Sequence, residues 1–448
     1  MEDTDILLIN SPSMWPRLAH LGIASISAYL KSRNINAKVI DLNRFFFSKM
    51  PHEIKKIWEI PVFPSFSDSV WDFLKYNYPE LLNETIEYII DLNPRFYGFS
   101  IWHSNKVFSN NIVHEIKKRN PSRKVIYGGP EITLSANSDL EFYRTNHLPA
   151  DYYVAGEGEK AVETIIKGYN SGNLIYFDEI DNLDEIPSPD FKTESGYPRD
   201  NAYPVWMNRG CIRKCRFCVE HTLHKKFRAK SPAIIVNELK YYSKIDGIQS
   251  FVFYDSLING DLTLFDEFLT LMSRMNLKWE SQILIRDDMP DQIFRKIKDS
   301  GCYNLFIGFE SGCDRILNLM RKGFDTKTAS VFFRNLTRHN IHFEISLIIG
   351  FPGETDSDFA QTLDFLAENA SYIPKIAQVN PFIHLAGAPI NEIQGDISLE
   401  TIPLQIIEKR IEKLLDLCAK HNIRYTKSYI NNLIGYYDNF DFEKGRII

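Results

Sequence analysis

Three cysteines fall within eight residues, in the segment Gly210-Cys211-Ile212-Arg213-Lys214-Cys215-Arg216-Phe217-Cys218. No other feature narrows the fold so much, because C-x(3)-C-x(2)-C on one short loop must be delivered by an ordered element and closed around an inorganic group. Three thiolates can hold three irons of a cubane cluster and leave the fourth iron open to another ligand. A zinc knuckle or a conventional electron-transfer cluster also uses soft thiolates, and both want a fourth ligand, for which His221 or His224 stands near in sequence. Cys302, Cys313 and Cys418 lie in other predicted elements and read as small buried side chains. Half of the six cysteines in one loop is unlike a secreted disulfide framework and points to metal ligation in a reducing compartment.

The first part of the chain alternates short apolar runs with helical patterns: Asp5 to Asn10, a helix near Leu21 to Lys31, then Ala37 to Asp41. The series resumes with Phe96 to Ser100, a helix over Asn105 to Arg119, Lys124 to Tyr127 and Tyr152 to Ala155. Such alternation predicts an α/β fold with a doubly wound parallel sheet and helices on both faces. Phe45 to Leu92 is aromatic-rich and mostly helical in pattern, and reads as an insertion packed on that sheet. From about Asn170 to Pro189 the pattern weakens, and Pro187 and Pro189 stop any helix.

A second series begins beyond this boundary, with Val205 to Asn208, Ser250 to Tyr254, Lys278 to Leu284, Asn304 to Gly308, His342 to Ile348 and Ile376 to Phe382. It predicts a partial (β/α)6 barrel whose chemistry belongs at the C-terminal strand ends. A helical segment, notably Thr401 to Lys420, and a Tyr-rich tail follow. The expected division is 1–170 for the first domain, 171–198 for a linker, 199–386 for the barrel and 387–448 for a mainly helical C-terminal domain.

Charge excludes some functions. The net charge of -6, without long Lys/Arg blocks, is not the footprint of a chain whose main affinity is for nucleic acid or acidic lipid. No apolar stretch reaches the length of a bilayer span. The start, Met1 to Asn10, lacks the basic and apolar regions of a signal peptide, so a cytoplasmic location is expected.

The cysteine loop resembles the signature of the radical SAM superfamily, including an aromatic residue directly before the last cysteine. By that resemblance Cys211, Cys215 and Cys218 ligate a 4Fe-4S cluster, S-adenosylmethionine (SAM) chelates the open iron, and Phe217 packs near the adenine. Later strand ends follow the family's order. Phe253-Tyr254-Asp255-Ser256 ends the second strand, although Asp255 or Ser256 could equally cap a helix. Arg286 could pair through its planar fork with the SAM carboxylate, or form a surface ion pair. Gly308-Phe309-Glu310-Ser311-Gly312 is similar to the segment that reaches the ribose or amino group of SAM. Ile348 to Thr355, with Gly350 and Gly353, resembles the adenine-contacting turn, and Glu354 there also suits a helix N-terminus. Val379 to Phe382 completes the sixth strand.

An open parallel sheet binds ligands beyond the carboxyl ends of its strands. The relevant loops are Ser11-Pro12 with Trp15 to Leu21, Ser100 to Asn105, Gly128-Gly129-Pro130 and Gly156-Glu157-Gly158-Glu159, each of which also fits a plain sheet-end turn. With Leu21-Gly22 and Asp41-Leu42-Asn43 they look like the cobalamin-binding domain of one radical SAM subgroup, the class B methyltransferase-like enzymes. That resemblance implies cobalamin contacts from Ser11, Pro12, Asp41, Ser100, Gly129, Glu157, Gly158 and Glu159. No Asp-x-His is present, so the motif that supplies a lower axial histidine is missing; water, His20 or His103 is left for that position.

The resemblance implies methylation of an unactivated carbon, in which one SAM yields a 5'-deoxyadenosyl radical and another remethylates the cobalamin. Cobalamin-dependent oxidation, cyclisation or rearrangement is the alternative within the enzyme class, and a cobalamin or iron-sulfur sensor the alternative outside it. A methylthiotransferase fits less well, because no further cysteines precede the triplet and no basic RNA-binding appendage is recognisable. The expected partners are a small-molecule or peptide substrate and an external electron donor of the flavodoxin or ferredoxin type.

Overall fold

The computed structural model describes residues 4–13, 16–59, 66–138, 150–169, 172–194, 202–393, 402–426, 440–441 and 446–447. Trp15, Thr401 and most of the Tyr-rich tail lie outside these residues. The chain divides into two compact units, residues 1–200 with 435–448, and residues 201–434.

The first unit is built on six parallel strands, β1 (Ile6–Asn10), β2 (Ala37–Asp41), β3 (Phe96–Ser100), β4 (Lys124–Gly128), β5 (Tyr152–Ala155) and β6 (Leu174–Tyr176), in the order β2-β1-β3-β4-β5-β6. A parallel sheet covered on both faces buries every residue of its inner strands, which is why Ile6 to Ile9 is an unbroken apolar run. Ile6, Leu8, Val39, Phe96, Ile126 and Val154 face one way, into a core shared with the helices Leu21–Ser32 and Gly158–Ile166. Their neighbours Phe99, Tyr127 and Tyr153 face the other way and meet edge to face, with ring centroids 5.7 and 6.4 Å apart.

On that second face Tyr127 Oη donates to Asn110 Oδ1 of the helix Lys106–Arg119 at 3.0 Å. The aromatic insertion forms the helices Leu42–Lys49, His52–Trp58, Phe66–Asn77 and Pro79–Asp91, and Phe46 and Trp71 pack on Phe108 of the same helix. Winding runs outward from β1 to β2, then back past β1 to β3, so the direction reverses between β1 and β3. The stretch expected as a linker, 171–198, is in its described part (172–194) packed onto this unit. Its Ile180, Leu183 and Ile186 are buried, and Asp190 and Glu194 donate backbone bonds to Ala24 and Val39.

The second unit repeats strand, helix, strand without reversal: β7 (Ala202–Val205), the short pair β8 (Asn208–Arg209) and β9 (Arg228–Ala229), β10 (Ser250–Phe253), β11 (Lys278–Gln282), β12 (Cys302–Glu310), β13 (Phe343–Ile349), β14 (Lys375–Pro381) and β15 (Arg424–Tyr425). The main sheet is parallel, in the order β15-β14-β13-β12-β11-β10-β7, so its six longer strands form the expected partial barrel. Crossover helices start at side-chain caps: Asp261 accepts from Thr263 and Leu264, Asp325 from Thr328, and Thr355 and Asp358 form a reciprocal box. Under the sheet Trp279, fully buried, gathers Phe253, Phe265 and Phe268 and donates its indole N–H to Ser300 O.

Two expectations shift here. The first barrel strand, read as Val205 to Asn208, occupies Ala202–Val205 instead. The N–H groups of Met207 and Asn208 leave the ladder because the buried Asp255 carboxylate takes them. The C-terminal helix, Leu404–His421, belongs to the second unit as far as residue 434, where it packs on the helix Asp356–Glu368 and leads into β15 at the sheet edge. Among the described residues no helix is long and apolar enough to cross a membrane.

Candidate active site

The cysteine loop leaves β8 at the C-terminal end of the barrel sheet. Cys215 is buried, Cys211 and Cys218 half-buried, and all three are free thiols. Burial pushes the Cys211 thiol up to about 11 and Cys218 up to about 12, and each feels the charge of its neighbours. Thiols this basic ionise at neutral pH when a cation binds them, as metal ligation requires. Among the described residues no three His, Cys, Asp or Glu side chains are placed to hold a single metal ion. Three thiols on one loop can ligate three irons of a cubane and leave the fourth open to SAM, so the donor set fits a 4Fe-4S group.

Around the loop the strand ends assemble a second layer. Phe217 meets Phe351 of the Gly350–Gly353 turn edge to face, centroids 6.5 Å apart, over a core of Ile316, Met320 and Phe382. Lys322, only 6% exposed, carries its ammonium 5.5 Å from the Phe217 ring and 5.7 Å from that of Phe324. Its counter-charge is Glu310, with Nζ to Oε1 at 3.4 Å, and Ser346 Oγ donates to the other carboxylate oxygen at 3.1 Å. Glu310 adopts φ +73 at a register shift in β12, a strained conformation for a residue with a side chain. The bulge re-aims its carboxylate toward Lys322. The Lys322 charge is also felt by Cys211 and Cys215. Lys322 has no sequence signal of its own: it follows Arg321, which closes the helix Asp314–Met320 in the left-handed conformation.

Other expected SAM residues are engaged elsewhere. Asp255 is buried, accepts from Met207 and Asn208, and is pushed up to about 7 by burial, so it fixes the approach to the cysteine loop. Beside it the fully buried Lys230 pairs with Glu238 at 3.2 Å and lies 3.9 Å from the Trp206 ring centre. Ser256 is half-buried at the bend after β10. Arg286 spends its fork on Asp288 and donates to the carbonyls of Asn259 and Gly260 at 2.9 Å each. Ser311 is held against Thr362 at 3.2 Å and accepts from Cys313 N. Glu354 accepts from Gly350 N and from Arg410, both at 2.7 Å, and thereby sets the turn that holds Gly350 (φ +79) and Gly353 (φ +83).

In the first unit the strand-end loops meet around β1 and β3, where the winding reverses. Ser109 Oγ donates to Ser11 Oγ at 2.8 Å, Pro12 is buried, and Asn43 and Trp58 together fix the backbone of Ser13. Asn10 Nδ2 donates to Asp41 Oδ1 at 2.8 Å, while Asn10 Oδ1 is buried and accepts no hydrogen bond among the described residues. Burial pushes Asp41 up to about 6. Gly129, φ +98, lies where a Cβ would stand 2.8 Å from both N and O of Ile101, so only glycine allows the loops after β3 and β4 to touch. Ser100 adjoins that contact.

Glu157 and Glu159 turn inward, to Ile180 N at 2.8 Å and Ser25 Oγ at 3.1 Å. Gly158 lies against Ile26 of the helix Leu21–Ser32, whose Cδ1 would have to move to admit a side chain. His103 is half-exposed with Nδ1 3.8 Å from Glu131. His20 accepts from Ile23 N through Nδ1 at 3.2 Å, and burial lowers its pKa to about 4. A neutral ring whose Nδ1 accepts carries its proton on Nε2, and so offers a donor rather than a metal lone pair. The open polar atom at Asn10, the glycine-permitted close loops and the reversed winding fit a large amide-rimmed ligand such as a corrinoid.

Comparison with known proteins agrees with this geometry. Residues 207–366 match the model of the radical SAM superfamily, and residues 67–166 that of the B12 binding domain. The bacteriochlorophyllide d C-12(1)-methyltransferase of Chlorobaculum tepidum is 27% identical over 216 residues, 46% of this chain and 47% of that protein. The anaerobic magnesium-protoporphyrin IX monomethyl ester cyclase of Synechocystis sp. is 23% identical, over 59% of this chain and 58% of its own length. The chain thus matches only about half of the length of these relatives.

The fold is shared with the radical SAM methyltransferase TsrM from Kitasatospora setae, solved with cobalamin and a [4Fe-4S] cluster, at TM-score 0.65 and 16% identity over 86% of this chain and 77% of that one. It is shared too with the cobalamin-dependent SAM radical enzyme OxsB, at TM-score 0.63 and 15% identity over 100% of this chain and 64% of that one. Residues 207–366 thus carry a radical SAM domain and residues 67–166, before it in sequence, a B12-binding domain, and the cofactors that go with these two domains are a 4Fe-4S cluster, SAM and cobalamin.

Proposed function

We propose that the enzyme methylates an unactivated carbon of a small-molecule or peptide substrate. The observation that carries this reading is the pairing, in one chain, of a three-thiol SAM site with a sheet whose strand-end loops suit a corrinoid. Bound together, the cluster, SAM and cobalamin supply a radical that activates carbon and a methyl group to place on it. The chain's own residues bind and orient. Lys322 is the cation for the SAM carboxylate, held beside the cluster by Glu310. Phe217, with Phe351 and the Gly350–Gly353 turn, offers an apolar surface for adenine.

Residues 1–200 contain no cysteine, which disfavours the methylthiotransferases among the relatives, such as the tRNA-2-methylthio-N(6)-dimethylallyladenosine synthase of Hydrogenobaculum sp. at 30% identity. The test is anaerobic turnover of the loaded enzyme with methyl-labelled SAM and candidate substrates. Bound corrinoid, 5'-deoxyadenosine, S-adenosylhomocysteine and labelled product together support methylation. A substrate oxidised or cyclised without label favours the reaction type of the Synechocystis cyclase, and loaded enzyme that never cleaves SAM supports a sensor.

Lys322→Met is expected to weaken SAM binding about 10- to 100-fold, the scale of one lost hydrogen bond between charged groups in a buried site. Equilibrium dialysis measures it, iron content should be unchanged, and Lys322→Arg should recover part of the affinity. Wild-type affinity in Lys322→Met would remove this residue from the site.

A further inference from the structure

The barrel strands of the second unit carry two unlike faces. Ile345, Leu347 and Ile349 of β13 and Val379 of β14 are buried, in line with Phe343, which packs on Phe333 of the helix Thr326–Arg338. Alternate residues turn to the inner face, which a closed barrel fills with branched side chains. Here that face stays open: Phe306, Ile348, Gln378 and Asn380 are half-buried and Gln282 is exposed.

Gln378 stands level with Ser346 across the β13–β14 ladder, and Ser346 Oγ donates to Glu310, the counter-charge of Lys322. Asn380 stands level with Ile348, which packs on the core of Phe351 and Phe382, as Phe217 does. The two amides are thus one strand away from the SAM residues. They hold one another, Asn380 Nδ2 donating to Gln378 Oε1 at 3.4 Å. Among the described residues neither side chain makes another hydrogen bond, so Gln378 Nε2 keeps its protons and Asn380 Oδ1 its lone pairs. Turning both amides over exchanges the roles and still leaves one donor and one acceptor.

Charge on this face is either paired or distant. Glu310 is paired with Lys322, and Glu344 with Lys375 at 2.8 Å. Glu280 accepts from Tyr303 and Asn304 and feels the charge of Glu344. Lys278, Glu280, Glu344 and Lys375, with Arg424 beyond on β15, all lie toward the N-terminal strand ends. The rise of a strand puts them about 7 Å or more below the level of Gln378.

A substrate that covers the amide pair must satisfy both free groups, since each one left unmet costs about 10-fold in affinity. A carboxylate offers acceptors alone and an ammonium donors alone, while a hydroxyl holds both functions on one atom and cannot reach both ends of the pair. A neutral amide carries its acceptor and its donor on separate atoms. We propose that Gln378 and Asn380 determine specificity, orienting the substrate by an uncharged amide group in a chain or a ring. The inference rests on the proposed function in taking this inner face as the substrate's place, and not on methyl transfer.

The test is binding to the full holoenzyme with cluster, cobalamin and SAM, kept oxidised so that no SAM is cleaved. Ligand-observed NMR titrations compare benzamide with benzoate, benzylamine and benzyl alcohol, which share its ring and differ in the polar group. Benzamide is expected to bind about 10-fold more tightly than the other three, and the double variant Gln378→Leu, Asn380→Leu to lose that preference with SAM affinity unchanged. Gln378→Glu replaces the donor with a carboxylate of the same size and should turn the preference toward benzylamine. Tighter binding of 2-pyrrolidinone than of N-methylacetamide would place the amide in a ring, and the reverse in a chain; either supports the proposal. No detectable benzamide binding, a preference for a charged fragment in the wild type, or a preference that survives the double variant overturns it. SAM affinity that falls with that of benzamide would also overturn it, by assigning the pair to SAM.

Discussion

Cys215→Ala is expected to lose both the cluster and all cleavage of SAM. Cys215 is the most buried of the three thiols and sits between the other two in the chain, with Arg216 N tied to Met320 O immediately after it. Removing it leaves two ligands for a group that needs three, and an iron without a thiolate is open to solvent and hydrolysis. SAM then has no iron to chelate, so affinity and turnover fall together. Iron content, the visible spectrum and 5'-deoxyadenosine yield measure the effect, while corrinoid binding should persist because Cys215 lies outside the B12-binding domain.

The contrast is the triple variant Cys302→Ala, Cys313→Ala, Cys418→Ala. These three thiols are buried in other elements, Cys313 against Asp358, and burial raises the pKa of each. Iron content should be unchanged in that variant. Full loading of Cys215→Ala, or cluster loss in the triple variant, would move the metal site elsewhere.

Arg410→Met is expected to destabilise the second unit by about 3–5 kcal/mol, the cost of leaving a buried charge without its partner. Arg410 and Glu354 have side chains 5% and 2% exposed, meet at 2.7 Å, and the guanidinium also reaches Asp356 at 3.0 Å. Burial pushes Glu354 up to about 7 even with Gly350 N and Arg410 beside it, so without Arg410 the carboxyl would take up a proton or draw in water. Urea unfolding followed by tryptophan fluorescence measures the loss. Adding Glu354→Gln should return part of it, since the double variant buries no unpaired charge. SAM affinity should fall too, through the disturbed Gly350 turn. Unchanged stability in Arg410→Met would mean that the pair is open to water.

Strand and helix alternation made both sheets legible in sequence, because a parallel sheet covered on two faces needs unbroken apolar strands and helical returns. The loop cysteines were equally plain, since ligand spacing is a local property. What escaped was fixed by contacts far apart in the chain. Lys322 reaches the site through Phe217, more than a hundred residues earlier in the sequence, and no periodicity marks it. For Arg286 the sequence left the SAM carboxylate and a surface ion pair both open, and the ion-pair partner, Asp288, lies two residues on. The end of β7 was misplaced because a side chain, Asp255, competes with the sheet for two N–H groups. The pattern of Thr401 to Lys420 identified a helix, but its tie from Arg410 to Glu354 spans 56 positions and is a matter of packing.

The last turn of the barrel has a consequence for the integrity of the protein outside catalysis. β15 is two residues long, yet it occupies the outer side of β14 at Lys375 and Ile376, where bare backbone groups would otherwise invite another chain to add a strand. The polypeptide thus returns about forty residues after leaving β14 to cover the first two residues of its own margin. A nick between the two would turn a self-limiting fold into one with a sticky seam, and the first symptom would be self-association rather than lost chemistry.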